Sequence, residues 1–375
     1  MELTDEQSAI RQTVHEVATE EIAPVAAEAD RAGEFPEDVW ETLADLDLTA
    51  MTVPEEYGGL DLDMVSYSIV NEAVAYGALA VATALGVHAL ATSCIAEFGD
   101  EDLAAEWLPS MAEGRPVGAF ALSEPEAGSN PAEMSTVARR AGEEYVIDGE
   151  KQWITNGQRS GVIVLFAKTD PADPGSVTQF LVPKETDGIT VGSPEEKMGL
   201  RASDTTTLSF DAARIPVEYR LTPEGRGLSA ALDILTNGRV GIAAQAVGLA
   251  QAAFDDAVAY AKEREQFGQR IADFQALRHQ AARMQTDIEA ARELAREAAR
   301  AADTGEDYRY AAARAKLFAT EMAVEVTERA VQFHGGYGYT KDFDVERYYR
   351  DAKVTTIYEG TSEIQKDVIA RGIFE

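Results

Sequence analysis

The apolar positions of this 375-residue chain change their period twice along its length. In the first third they recur at helical steps. Thr4-x-x-Gln7 has the spacing of a capping box ahead of Ile10, Val14 and Val17, and Pro36 opens a short helix carrying Trp40, Leu43 and Leu46. Gly58-Gly59 breaks the chain. Residues 64–98 are rich in Ala, Val, Leu and Ile on nearly all sides, as in a helix or helix pair buried within a domain, and Asp100 caps another helix running to Met111. From 117 to 215 the period shortens. Runs rich in β-formers at 117–122, 136–138, 144–147, 161–167, 178–182 and 205–210 alternate with Gly, Asp, Asn and Pro turns, which predicts a small antiparallel sheet or barrel. Long Ala-rich helices return near Leu228: Leu277, Ala281, Met284, Ile288, Ala291 and Ala295 follow three- and four-residue steps, as do Phe318, Met322, Val326 and Val331. The short connection 303–307 makes these helices antiparallel neighbours. The expected class is therefore α+β, with an N-terminal α-helical domain over 1–115, a central β-barrel or sheet domain over 116–225 and a C-terminal four-helix bundle over 226–375.

Composition narrows the partners. A hydrophobic fraction of 45% suits two or three globular domains, while a formal charge of −33 repels nucleic acid and anionic membranes over most of the surface. The helical periods argue that this charge coats a folded surface. With Lys scarce relative to Arg, it suggests a salt-rich cytoplasm, as in a halophile. The start, Met1-Glu2-Leu3-Thr4-Asp5-Glu6, lacks the regions of a signal peptide, and no later apolar run is read as long enough to span a membrane, so a cytoplasmic protein is expected. The lone Cys94 excludes an internal disulfide, and four scattered histidines give no zinc spacing, so no metal is expected.

Four stretches carry candidate chemistry. Glu359 follows the β-branched and aromatic run 354–358, which should be buried, and precedes Gly360, which lets a ligand approach closely. An apolar wall raises a carboxylate's pKa, and a helix should begin just beyond, with Ser362 and Gln365 at capping-box spacing and Thr361 as the alternative cap. Phe120-Ala121-Leu122-Ser123-Glu124-Pro125-Glu126-Ala127-Gly128-Ser129-Asn130 couples a strand end to a loop with backbone N–H and hydroxyl groups to offer a heterocycle. Lys151-Gln152-Trp153-Ile154-Thr155-Asn156-Gly157 sets an aromatic plane two residues from a hydroxyl, ahead of an Asn-Gly turn. In Gln332-Phe333-His334-Gly335-Gly336-Tyr337-Gly338-Tyr339 the glycines open backbone N–H groups to a diphosphate, without the strand and helix of a nicotinamide fingerprint.

Together these stretches resemble the acyl-CoA dehydrogenases. Asp351-Ala352-Lys353-Val354-Thr355-Thr356-Ile357-Tyr358-Glu359-Gly360-Thr361-Ser362-Glu363-Ile364-Gln365 is similar to that family's C-terminal signature, in which the Glu removes the α-proton of an acyl thioester. The resemblance implies FAD as cofactor. It assigns the flavin ring to Phe120, Leu122 and Ser123 on the pyrimidine side, to Trp153 and Ile154 on a face, and to Thr155 near N5. Arg264-Glu265-Gln266-Phe267-Gly268 matches the family's Arg-x-x-Phe-Gly, whose Arg reaches the diphosphate of a neighbouring subunit. Gln266, Phe267, Gln275, Gln332, Gly335, Gly336, Thr361 and Glu363 complete that cofactor site by the same matching. Ser129, counted with both cofactor and CoA contacts, Arg239, Gly360 and Arg371 fall at substrate positions. Asn130 departs from the family's usual Asp, and His334 is read as an ordinary loop side chain. Gly238 with Glu359 agrees with members that carry the base at the latter position.

The implied activity is α,β-dehydrogenation of an acyl-CoA, with an electron-transfer flavoprotein as acceptor and a homo-oligomer, a dimer of dimers, as the assembly. A same-fold oxidase or N-hydroxylating monooxygenase and a non-catalytic acyl-CoA-binding protein are the alternatives. No Lys or Arg lies between Arg31 and Arg115, so an acyl pocket lined there has no local cation. This favours short or medium monocarboxylic acyl groups over glutaryl-CoA, with His88 as the one residue able to replace an arginine.

Overall fold

The computed structural model describes residues 3–374. α1 (Asp5–Val17) opens on the expected capping box, the Gln7 N–H donating to Thr4 Oγ1 at 3.1 Å and the Thr4 N–H to Gln7 Oε1 at 3.2 Å. A π-helical turn leads into α2 (Ala23–Ala32), followed by α3 (Glu37–Asp45), α4 (Met64–Gly77), α5 (Leu79–Phe98) and α6 (Glu101–Ala112). The apolar stretch 64–98 is a pair because Ala78, extended at φ −159°, divides it. By length and composition the 20 residues of α5 suffice to cross a bilayer, which corrects the reading that no run does. Most of α5 is buried instead against α4, α6, α7 and the first strand.

Seven strands follow: β1 (Val117–Ala121), β2 (Val137–Ala141), β3 (Glu144–Thr155), β4 (Ser160–Lys168), β5 (Val177–Pro183), β6 (Ile189–Val191) and β7 (Thr205–Pro216). They form one curled sheet in the order β1-β4-β2-β3-β7-β6, with β5 also paired to β4. The sheet is mixed, not antiparallel throughout. β1 runs parallel to β4, a pairing that needs a long crossover, and the segment holding β2 and β3 supplies it. β3 extends to Thr155, past the expected end at 147, because bulges between Ile147 and Gly149 and between Lys151 and Ile154 bend it without losing β7. The edge strand β6 is too short to reveal an alternation in the sequence.

The last third is built on α7 (Gly227–Glu263). A small hairpin, β8 (Glu265–Gln266) and β9 (Gln269–Arg270), leads to α8 (Gln275–Asp303), α9 (Arg309–His334), α10 (Val345–Thr355) and α11 (Ser362–Phe374). The bundle is α7 to α10, with α11 against α9. Met284, Ile288, Ala291 and Ala295 lie buried as their spacing predicts, whereas Phe318 is exposed and Ala315 and Ala319 fill that face of α9. α4 and α5 pack on the free side of α7, so the first and last helical domains share one core. Glycines permit the approach. A Cβ on Gly241 would meet the Tyr67 hydroxyl of α4 at 2.7 Å, and one on Gly248 would overlap the Glu72 carbonyl oxygen.

Gly248→Ala should therefore lower stability by about 1–3 kcal/mol through overpacking. Gly128→Ala, where a Cβ meets nothing within 4 Å, should stay within about 0.5 kcal/mol, and calorimetric melting of the two variants makes the comparison.

Candidate active site

Between α10 and α11 the chain makes a tight turn that leaves Glu359 at φ 49° and Gly360 at φ 91°. Both lie in the left-handed region, easy for glycine and costly for glutamate. Thr361 caps α11, its Oγ1 accepting the Ile364 N–H at 3.3 Å. Gln365 does not close a box on Ser362. Its Nε2 reaches back to the Gly360 carbonyl at 3.0 Å and to the Glu359 carbonyl at 3.4 Å. The run 354–358 is not a buried strand either. It is the end of α10 and a turn, with Ile357 52% exposed.

Glu359 Oε2 is sealed from solvent and has no hydrogen-bond partner among the described residues. It lies over Gly238 of α7, where any Cβ would overlap it, so the helix needs glycine at that position to admit the carboxylate. Cations flank it. Arg239 of α7 is 7% exposed and its Nε is unpartnered; Lys316 of α9 is fully buried, its Nζ donating to the Tyr358 carbonyl at 3.0 Å and the Gly360 carbonyl at 2.7 Å. Burial raises the Glu359 carboxyl, Lys316 and Arg239 pull it back, and the balance falls at about 7. Neither cation comes from the interval 31–115, whose lack of Lys and Arg bears on an acyl pocket lined there and not on this carboxylate; α7 and α9 deliver both from later in the sequence. Lys316 was assigned no role by the sequence, although a lysine on the small-residue face of Ala312, Ala315, Ala319 and Ala323 is the signal that marks it.

His88 cannot serve as a replacement cation. Its Nδ1 accepts the Gly118 N–H at 3.0 Å, which leaves Nε2 to donate to the Met111 carbonyl at 3.1 Å. Burial lowers its pKa to about 4.

On the sheet the two stretches read as flavin contacts lie side by side. The Gln152 N–H donates to the Ser123 carbonyl at 3.0 Å, and the buried Lys151 Nζ donates to the Leu122 carbonyl at 3.1 Å and to Glu124 Oε1 at 2.8 Å. Glu124 also accepts from the N–H groups of Ser135 and Thr136. Burial would raise the Glu124 carboxyl, but Lys151 and these donors overcome it and hold it at about 2. Trp153 sits in the bulge at φ 58° with its ring 55% exposed, beside buried Ile154 and half-buried Thr155. Asn156, also left-handed, donates to the Ala84 and Gly118 carbonyls at 2.9 and 3.1 Å, tying this strand end to α5 and β1. Phe120 is half-buried, while Ser129 and Asn130 are exposed.

A second group gathers at the junction of α7, the β8–β9 hairpin and the end of α9. A cavity of about 500 Å³ is lined by Arg264, Gln266, Gly335, Gly336, Tyr337 and neighbours, and Cβ positions on both glycines point into open space. Phe267, next in the chain to Gln266, is 94% exposed and does not line it. His334 is not a loop residue: it ends α9, buried, stacked on Tyr260, with Nδ1 on the Ala330 carbonyl at 2.9 Å. Gln275 and Gln332 are exposed and do not line the cavity, nor do Phe120, Ser123, Trp153 or Thr155. Glu363 stands in the first turn of α11. Arg371 is exposed on the same helix, nine residues or about 14 Å beyond Ser362. An exposed aromatic plane beside hydrogen-bonding backbone, and elsewhere an arginine facing open glycines, are the two surfaces that a flavin ring and its diphosphate need, so the residues fit FAD.

The chain matches the family models of the acyl-CoA dehydrogenase N-terminal domain over residues 4–115, middle domain over 119–213 and C-terminal domain over 225–374. It is 43% identical over 374 residues to the short-chain-specific acyl-CoA dehydrogenase of Clostridium acetobutylicum, covering 99% of both chains. The butyryl-CoA dehydrogenase structure from Megasphaera elsdenii superposes with a TM-score of 0.97 at 36% identity, covering 100% of each chain. A chain in a structure of the electron transferring flavoprotein of Acidaminococcus fermentans gives 0.98 at 39%, over 100% of this chain and 99% of that one. This chain belongs to the acyl-CoA dehydrogenase family, a flavin-dependent family.

Removing one partner of the buried Lys151–Glu124 pair leaves an uncompensated charge. Lys151→Met should cost about 3–5 kcal/mol in urea unfolding, and adding Glu124→Gln should recover much of that loss. Because the folded Glu124 carboxyl is depressed, its contribution is full above the ordinary value of 4.5 and is lost as the pH falls toward 2.

Proposed function

We propose that this protein catalyses the FAD-dependent α,β-dehydrogenation of a short-chain acyl-CoA to the trans-2-enoyl-CoA, with Glu359 as base. The observation that carries the reading is a sealed, unpartnered carboxylate oxygen poised at about 7 above a glycine. Such a group is ionised enough at neutral pH to take a proton and basic enough to hold it. Glu359 Oε2 takes the α-proton, while the Glu359 N–H donates to the thioester carbonyl and stabilises the charge that develops there. Bound FAD would supply the acceptor for the hydride that leaves the β-carbon. Phe120, Leu122, Ser123, Trp153, Ile154 and Thr155 hold its ring, and Arg264, Gln266, Gly335 and Gly336 of a neighbouring copy hold the diphosphate. The resemblance of Arg264 to an arginine that reaches a neighbouring subunit's diphosphate supports a homo-oligomer. An electron-transferring flavoprotein is the favoured acceptor, in keeping with the Acidaminococcus fermentans likeness. The acidic surface is in keeping with a salt-rich cytoplasm.

The short chain is in keeping with the short-chain-specific relative and with a polar bridge between α7, α4 and α5. Gly238, Gly241 and Gln245 share one face of α7; Tyr67 meets the second, and Gln245 Nε2 donates to Asn71 Oδ1 at 2.7 Å and to the Ala82 carbonyl at 3.0 Å. Gln245 lies seven residues, or about 10 Å, from Gly238 along the helix. Each methylene that fits gains about 0.8 kcal/mol, whereas a distal carboxylate left without a partner costs several. His88 is spent on Met111 and Gly118.

Glu359→Gln should retain FAD yet not be bleached anaerobically by butyryl-CoA. In the wild type kcat/KM should fall more than about a hundredfold from butyryl-CoA to glutaryl-CoA, and should fall again at octanoyl-CoA. A preference for glutaryl-CoA would refute the pocket assignment.

A further inference from the structure

We propose that Lys316 is a positioning residue for the base: its ammonium clamps the carbonyls on both sides of Glu359 and so holds the carboxylate in the left-handed turn that aims it past Gly238. The proposal rests on the reading of Glu359 as the base. Lys316 stands in the first third of α9 with no exposed surface, and its Nζ lies 3.0 Å from the Tyr358 carbonyl and 2.7 Å from the Gly360 carbonyl. Glu359 is the residue between those two carbonyls. Gln365 of α11 also donates to the Gly360 carbonyl and, at 3.4 Å, to that of Glu359, but among the described residues the bond to the Tyr358 carbonyl ahead of the base comes from Lys316.

A buried ammonium is expensive, and a methionine or leucine of similar length would serve packing among Ala312, Ala315 and Ala319 better. Burial shows in the lysine itself, which falls to about 8 even with Glu359 pulling it up. What the site obtains in return is a fixed backbone at a residue whose φ of 49° is unfavourable for any side chain. The groups that face Glu359 are Arg239 from α7, Lys316 from α9, Tyr67 from α4 and Tyr358 from its own turn, with Glu363 of α11 facing Lys316. Among the described residues Arg239 and Lys316 carry the positive charge toward the base, and of these two Lys316 also bonds the carbonyls that flank it in the turn.

The test uses the FAD-loaded protein and follows anaerobic bleaching by butyryl-CoA from pH 5.5 to 9, where the rate rises as Glu359 loses its proton. Lys316→Met should keep FAD, lower the plateau rate at least about tenfold and move the limb upward by about one unit, because a cation that favoured the carboxylate is gone. Lys316→Arg keeps the charge, so its limb should stay within about half a unit of the wild type whatever happens to the plateau. A residue needed only for packing would change melting temperature and FAD content and leave the limb in place in both variants. An unmoved limb and rate in Lys316→Met overturn the clamp. Should that variant fail to hold FAD, Lys316→Arg still decides: a limb displaced upward by a full unit overturns the proposal. Bleaching by Glu359→Gln at the wild-type rate would instead overturn the assignment of the base, a failure of a different kind.

Discussion

A carboxylate is buried in a turn that no glutamate prefers, and the rest of the fold is arranged around holding it there. Burial alone would leave Glu359 protonated through the neutral range, and exposure would leave it too weak a base. Two cations from helices remote in sequence set the compromise at about 7. Gly238 makes room for the oxygen, and Lys316 and Gln365 hold the backbone. A proton acceptor of this kind depends on the tertiary packing of α7, α9 and α11.

That dependence accounts for the architecture of α7. It is contacted by helices of both helical domains, and its glycines at 238, 241 and 248 bring, in turn, the base, the Tyr67 ring and the α4 backbone against it. One helix thus registers the Glu359 carboxylate against α4. The sheet is tied to the same frame by Asn156, whose side chain reaches both α5 and β1, and by the Lys151–Glu124 pair, which joins the two loops offered to the cofactor. Four of the non-glycine residues singled out by sequence or structure, Trp153, Asn156, Phe267 and Glu359, have positive φ. Strain gathers where backbone direction matters more than local stability.

Much of this was legible in the sequence, and for identifiable reasons. Helix periods, the Thr4–Gln7 box and the Asp100 cap are local signals, and they appear where expected. The two-residue step of β3 was lost after 147 because a bulge shifts the phase of every later side chain. The parallel pairing of β1 with β4 has no local signal at all. At the site, Glu359 and the Trp153 stretch stood out by composition, whereas Lys316 and Arg239 became partners of the base only through packing between helices. The run 354–358 shows the limit of composition: its β-branched residues lie in the end of α10 and a turn, because tertiary context overrides strand preference.

The central claim is that burial against two cations leaves Glu359 with a midpoint near neutrality, and infrared difference spectroscopy reads that directly. The carbonyl stretch of protonated Glu359, isolated by subtracting Glu359→Gln, should disappear on raising the pH with a midpoint at about 7 in the protein without acyl-CoA. A midpoint at the ordinary value of 4.5 or below would contradict the account.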